Sequence, residues 1–240
     1  MELILPTRGI SVQPGKIICV GKNYALHAQE MNEDLPSDPV LFLKPPTALV
    51  GHGGRILLPA ASSDVHHEVE LVAAMGRGGK NISEADALDY VDGYAVGLDM
   101  TARDIQSRAK ERGEPWSVAK GFDTFAPIGS LIAARRVPDP QSLQIRLSVN
   151  GVVRQEASTA TMIFSLAKVI AFASTIFTLM PGDLIYTGTP EGVGPVVDGD
   201  ALEASVEGLP TLRMRVKREK SSAPRADEAL DLPHRSVDVG

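Results

Sequence analysis

At 240 residues, with 43% hydrophobic and 22% charged side chains, the chain has the size and balance of one globular domain with a full core. Its formal net charge of -6 argues against general nucleic-acid binding, which needs a basic surface, and its longest apolar run, Val169 to Met180, is too short to span a membrane and is broken by Ser174, Thr175 and Thr178. Met1 to Gly15 lacks the pattern of a secretory signal, and the single cysteine, Cys19, sits in an apolar run and reads as a buried inert thiol, so a cytoplasmic location is expected.

Few aromatics, with 22 Gly and 17 Pro, suggest short strands joined by tight turns. In chain order, Ile17 to Val20 reads as a strand and Tyr24 to Met31 as a short helix ended by a polar, Pro-bearing stretch. Val40 to Leu43 and Arg55 to Leu58 read as strands, and His67 to Ala74 as one longer strand. Ser83 can cap a helix reaching about Tyr90. Gly93 to Leu98 is strand-like and Thr101 to Arg112 helical. Leu143 to Val149 and Val152 to Gln155 flank Asn150-Gly151, a strong hairpin signal. Thr161 to Leu179 is expected to be the longest helix. Leu184 to Tyr186, Ala201 to Val206 and Leu212 to Val216 complete the strands. Strands do not alternate regularly with long helices, so a β-rich α+β domain is expected over a doubly wound parallel sheet. The division is an N-terminal segment over 1–16, a domain over 17–217, and a polar tail over 218–240 without periodicity.

The segment His66-His67-Glu68-Val69-Glu70-Leu71-Val72 is the most informative. In a strand, residues two apart share a face, so Glu68 and Glu70 point one way and Val69 and Leu71 the other. Adjacent carboxylates repel unless water screens them or a cation sits between them, and the apolar flanks favour the cation. Deleting one carboxylate could then relieve repulsion in the metal-free protein. Asp99 ends an apolar strand where a helix begins; such a residue is more often a helix cap, but it can supply a third carboxylate. Three carboxylates without a thiolate favour Mg²⁺ or Mn²⁺. Zinc fits less well, because Leu71 stands where a metalloprotease pattern has its second histidine.

His27 and Glu30 are three apart, on one face of the short helix. A carboxylate beside an imidazole can make a water-activating base, although spacing alone favours an ordinary surface pair. Lys120, among Trp116, Val118 and Phe122, either snorkels to solvent or faces an anion in a cleft. Arg103 and Gln106 share a helix face just after Asp99 or are merely exposed. The Gly-rich stretch from Thr187 to Pro195 can present amides and hydroxyls to an anion, and it lacks the lysine and spacing of a P-loop.

In their order these segments resemble the fumarylacetoacetate hydrolase family: Gly-Lys-Asn-Tyr with His27 and Glu30; Leu41-Phe42-Leu43-Lys44-Pro45; His67-Glu68-Val69-Glu70; Asp99-Met100-Thr101-Ala102-Arg103-Asp104; Lys120; and Thr187-Gly188-Thr189-Pro190-Glu191-Gly192-Val193-Gly194. The match runs from about Ile17 to Val216 and is closest to the branch with acylpyruvate hydrolases, fumarylpyruvate hydrolases and oxaloacetate decarboxylases. The resemblance implies a mixed β-sandwich roll and a homodimer. It implies Mg²⁺ or Mn²⁺ on Glu68, Glu70 and Asp99, and His27 and Glu30 as an acid–base pair on a mobile lid. Lys120 would be catalytic, with Lys22, Arg103, Gln106 and Thr189 binding substrate; part of the branch has Arg at the Lys22 position.

The implied activity is hydrolysis of a C–C bond in 2,4-diketo acids such as acetylpyruvate or fumarylpyruvate, giving pyruvate and a carboxylic acid. Oxaloacetate decarboxylation, or isomerisation of a 2-hydroxy-diene-dioate, would use the same enolate. A catalytically silent metal-binding protein is the reading from another class, and the joint presence of His27, Glu30 and Lys120 weighs against it. The expected partner is a small 2-keto acid, with neither nucleic acid nor membrane.

Overall fold

The computed structural model describes residues 1–31 and 34–219. A central mixed sheet runs Val40–Lys44, Ile17–Gly21, Leu184–Tyr186, Val69–Met75, Val91–Leu98, Ala126–Ile128, Leu49–Gly51, with Ile132–Ala133 also paired to Val91–Leu98. A second sheet runs Val152–Ser158, Gln144–Val149, Ala201–Val206, Leu212–Arg218, Arg55–Leu58. Alternation along Val69–Met75 explains how the sheets meet. Val69, Leu71 and Ala73 join a cluster with Ile145, Leu147, Leu202, Ala204 and Leu212 from the inner face of the second sheet. Val72 and Ala74 join another cluster with Ile17, Cys19, Ala95, Ala126, Leu184 and Tyr186. Nearly all of that cluster belongs to the central sheet, which therefore curls round its own inner face. The result is the β-rich roll that the sequence leads one to expect, with Cys19 buried inside it.

The inside of the curl is tight. A Cβ placed on Gly97 would collide with Val72 Cγ2 and lie 2.7 Å from Tyr186 Cε1. Gly97→Ala is expected to cost about 1–3 kcal/mol, as overpacked cores do; urea denaturation checks it, and an unchanged midpoint would show that the sheet yields.

Several elements differ from expectation for local reasons. His67 to Ala74 is two strands, Val65–His67 and Val69–Met75, because the chain changes sheets at Glu68. The first pairs with Thr101–Ala102 and Gly194–Pro195 in a three-stranded sheet. Thr101 and Ala102 are thus drawn out of the expected helix, which starts at Arg103. Ser83 Oγ accepts from Asp86 N–H at 3.2 Å, but only a 3-10 turn, Ala87–Tyr90, follows. The long helix shrinks to Leu166–Ile176, since Ser165 caps it and Asn23 takes the Ile163 and Phe164 amides. Leu3–Leu5, Ile10–Val12, Leu49–Gly51, Ala126–Ile128, Ile132–Ala133 and Gly194–Pro195 are too short for alternation to reveal. The hairpin forms as expected, with Asn150 and Gly151 at φ of 52° and 80°, as a type I′ turn requires.

The expected tail lies outside the described residues from 220 onward, while Arg218 still pairs with Leu58 in the last strand and Glu219 N–H donates to Leu58 at 3.0 Å. We expect deletion of residues 220–240 to leave turnover and melting temperature unchanged; a large loss of either would show that the tail contributes to the fold or the site.

Candidate active site

The strand ladder brings three carboxylates together. Glu68 sits where the chain passes between sheets, Glu70 lies opposite Gly97, and Asp99 follows the neighbouring strand with its N–H on Glu68 O at 2.8 Å. One oxygen from each lies within 4.8 Å of the others, and all three side chains are buried. Asp99 is not a helix cap; Ala102 occupies that position.

Cations interleave with this cluster. Lys120 Nζ bridges Glu68 at 2.8 Å and Asp99 at 2.7 Å. Lys44 Nζ lies 2.6 Å from the other Asp99 oxygen. Arg103 donates to Glu68 at 2.5 Å, beside the Thr101 hydroxyl at 2.9 Å. Burial alone would raise Glu68, but Lys120 and Arg103 outweigh it and hold its carboxyl well below the usual range. Glu70 is different. Burial, then the Asp99 and Glu68 charges, push its carboxyl well up, opposed by the Gly188 N–H that donates to it at 2.8 Å. A carboxylate held near two others without a cation of its own is a place for an added cation. The all-oxygen donor set suits a hard divalent ion.

His27, Lys22, Arg103, Gln106, Lys120 and Thr189 line the same cleft as the three carboxylates. Arg103 donates to Gln106 at 2.6 Å, so the two do share a face. Lys22 adopts φ of 58°, uncommon for a side chain with a Cβ, and its residue borders the cleft. Glu30 reaches the cleft through His27: its carboxylate stands 3.3 Å from His27 Nδ1. A carboxylate only accepts, so Nδ1 carries the proton in that bond, and in the neutral ring Nε2 is the accepting nitrogen. Glu30 also takes Gly192 N–H on both oxygens at 3.1 Å. The free space in the cleft is about 30 Å³, room for a water or two. A larger groove of about 640 Å³ crosses the outer face of the second sheet, and its Arg213 is paired with Glu203 at 2.8 Å.

Sequence reasoning missed two side chains here. Lys44 is fully buried and also donates to the carbonyls of Met100, Lys120 and Phe125 at 2.9, 2.6 and 2.7 Å. Its signal was a lysine inside the apolar strand Leu41-Phe42-Leu43-Lys44. Gln155, which bonds His67 in the strand before Glu68 and Thr189 at the cleft, gave no local signal at all.

Comparison with known proteins agrees with the geometry. The family described as fumarylacetoacetate (FAA) hydrolase C-terminal matches residues 16–217. The mitochondrial oxaloacetate tautomerase of Mus musculus is 49% identical over 202 residues, 84% of this chain and 91% of that protein. A fumarylpyruvate hydrolase from Pseudomonas aeruginosa, solved with Mn²⁺ and pyruvate, superposes with a TM-score of 0.86 at 42% identity, covering 91% of this chain and 96% of that one. A 2-hydroxyhepta-2,4-diene-1,7-dioate isomerase from Mycobacterium marinum gives 0.77 at 45% identity, covering 87% and 76%. Among the described residues no helix is long and apolar enough to cross a membrane.

Proposed function

The chain belongs to the fumarylacetoacetate hydrolase family of enzymes, and from that premise we propose that it acts on small 2-keto acids through an enolate, with hydrolysis of acylpyruvates as its leading reaction. The observation that carries this reading is the buried set Glu68, Glu70 and Asp99, interleaved with Lys44, Lys120 and Arg103, in one cleft with His27. Lys22 and Lys110 also border the cleft, so its cationic side chains outnumber the three carboxylates even before a divalent ion is added. A net positive cleft favours an anionic ligand such as a keto acid or the enolate formed from it.

Glu68, Glu70 and Asp99 would hold Mg²⁺ or Mn²⁺, which supplies Lewis acidity to a keto oxygen. Arg103, Gln106, Thr189 and Lys22 bind the substrate's carboxylate and distal oxygens. His27 Nε2, with Nδ1–H held by Glu30, takes a proton from water, and the hydroxide adds to the distal carbonyl. Lys120 faces the oxyanion that forms. The C–C bond breaks, the acyl fragment leaves as a carboxylic acid, and the pyruvate enolate takes a proton at its terminal carbon.

A second reading is favoured by the likeness to the oxaloacetate tautomerase. Tautomerisation or decarboxylation of oxaloacetate needs the same enolate without an attacking water. The test is a turnover screen with Mg²⁺ or Mn²⁺ on acetylpyruvate, fumarylpyruvate and oxaloacetate, following loss of the diketone or enol absorbance. Acylpyruvate turnover far above oxaloacetate conversion supports hydrolysis; the reverse order supports the second reading. No conversion of any of them would sink both. A homodimer in the cytoplasm remains part of the proposal, and sedimentation velocity tests the dimer.

A further inference from the structure

Gln155, in the Val152–Ser158 strand, is 1% exposed, and both ends of its amide are in use. Its Oε1 accepts from Val69 N–H at 3.1 Å and stands 3.0 Å from His67 Nδ1. Its Nε2 donates to Thr189 Oγ1 and to Pro190 O, each at 2.8 Å. The two backbone partners set the amide's orientation, since an N–H can only donate and a carbonyl can only accept. The other two roles follow. His67 carries its proton on Nδ1, and the Thr189 oxygen accepts. A hydroxyl that accepts from Gln155 keeps its one proton for another acceptor. Thr189 borders the cleft with Glu70 and Lys120, so that proton is available to whatever the cleft binds.

The loop carrying Thr189 is seated on the same strand. Gly192, at φ of +87°, lies against the Arg154 carbonyl so closely that a Cβ would collide with it. Its N–H is the one that holds Glu30. Gln155 thus ties the strand leading into Glu70 to the loop that supports the acid–base pair.

We propose that Gln155 is a positioning residue that makes Thr189 a hydrogen-bond donor to an anionic oxygen of the bound keto acid. The proposal rests on the reading of Thr189 as a substrate contact. Gln155→Glu is nearly isosteric but reverses the polarity: a carboxylate in that place takes the Thr189 proton and repels Pro190 O. Gln155→Met keeps the volume and removes every bond, and it serves if the buried charge prevents folding.

Pyruvate is the probe, titrated in saturating Mn²⁺ and read by the fluorescence of Trp116, which is the chain's single tryptophan and borders the cleft. Thr189→Val is expected to weaken pyruvate binding about tenfold or more, the usual loss for a hydrogen bond to a charged group. Thr189→Ser should bind as the wild type does. Gln155→Glu should match Thr189→Val, and combining either Gln155 variant with Thr189→Val should cost nothing further, because both act through one hydroxyl. Additive losses, or Gln155 variants that bind pyruvate like the wild type while Thr189→Val does not, would overturn the proposal and leave the Thr189 reading standing. Wild-type binding by Thr189→Val would overturn both.

Discussion

Saturating Mn²⁺ is expected to raise the melting temperature of the wild-type protein by about 5–10 °C and to leave that of Glu70→Gln unmoved. A ligand at one hundred times its Kd stabilises the native state by about 2.7 kcal/mol, and each kcal/mol moves the melt of a chain this size by about 2–4 °C. Activity should vanish in Glu68→Ala, Glu70→Gln and Asp99→Ala alike, but their metal-free stabilities should diverge. Glu68 and Asp99 each neutralise buried cations: Lys120 touches both, Arg103 depends on Glu68, and Lys44 depends on Asp99. Removing one member of such a pair costs about 3–5 kcal/mol. Glu70 has the opposite sign, because burial and its two carboxylate neighbours push its carboxyl up. An amide there still accepts from Gly188 N–H and removes the repulsion. Metal-free Glu70→Gln should therefore melt at or above the wild type. Sequence alone suggests relief on deleting any of the carboxylates; the interleaved cations restrict it to Glu70. A wild-type melt indifferent to both Mn²⁺ and Mg²⁺ would count decisively against the metal site.

What could be read from the chain divides by range. Alternation made Val69, Leu71 and Ala73 a core face, and the same period put Glu68 and Glu70 together. Glu68 and Glu70 meet although the strand breaks at Glu68 and the period does not run unbroken through both. A lone aspartate at a helix start is usually a cap, and only the neighbouring strand places Asp99 beside Glu68. His27 and Glu30 were visible as a helical pair because the contact is local, three residues apart. Lys44 and Gln155 act across 56 and 86 residues, on Met100 and Val69. No window or period links such positions, and a buried lysine in an apolar strand is ambiguous until the carbonyls that receive it are known. The short strands were lost for a related reason: two or three residues carry no period, and their pairing is supplied by partners elsewhere in the sheet.

His27→Ala is expected to cut acylpyruvate hydrolysis by about 100- to 10,000-fold, the usual contribution of a general base. The Mn²⁺-induced rise in melting temperature should persist, because the three carboxylates come from other segments. The effect should depend on the reaction. Hydrolysis needs a base for water, and tautomerisation of oxaloacetate needs a group to move a proton at carbon, so both should fall together. Decarboxylation needs neither before its bond breaks; Lys120 and the carboxylate cluster remain in place, and the loss should be smaller. Glu30→Gln should act in the same direction but more mildly. Its amide oxygen can still accept from His27 Nδ1–H or from Gly192 N–H, bonds of 3.3 and 3.1 Å in the native protein, but the negative charge that stabilises an imidazolium is gone. Steady-state rates on acetylpyruvate and oxaloacetate, with decarboxylation followed as released CO₂, separate the cases. If both variants lose hydrolysis and decarboxylation in equal measure, the pair positions substrate or closes the cleft instead. If neither reaction changes, His27 and Glu30 are an ordinary pair on a short helix, and the water finds its base elsewhere.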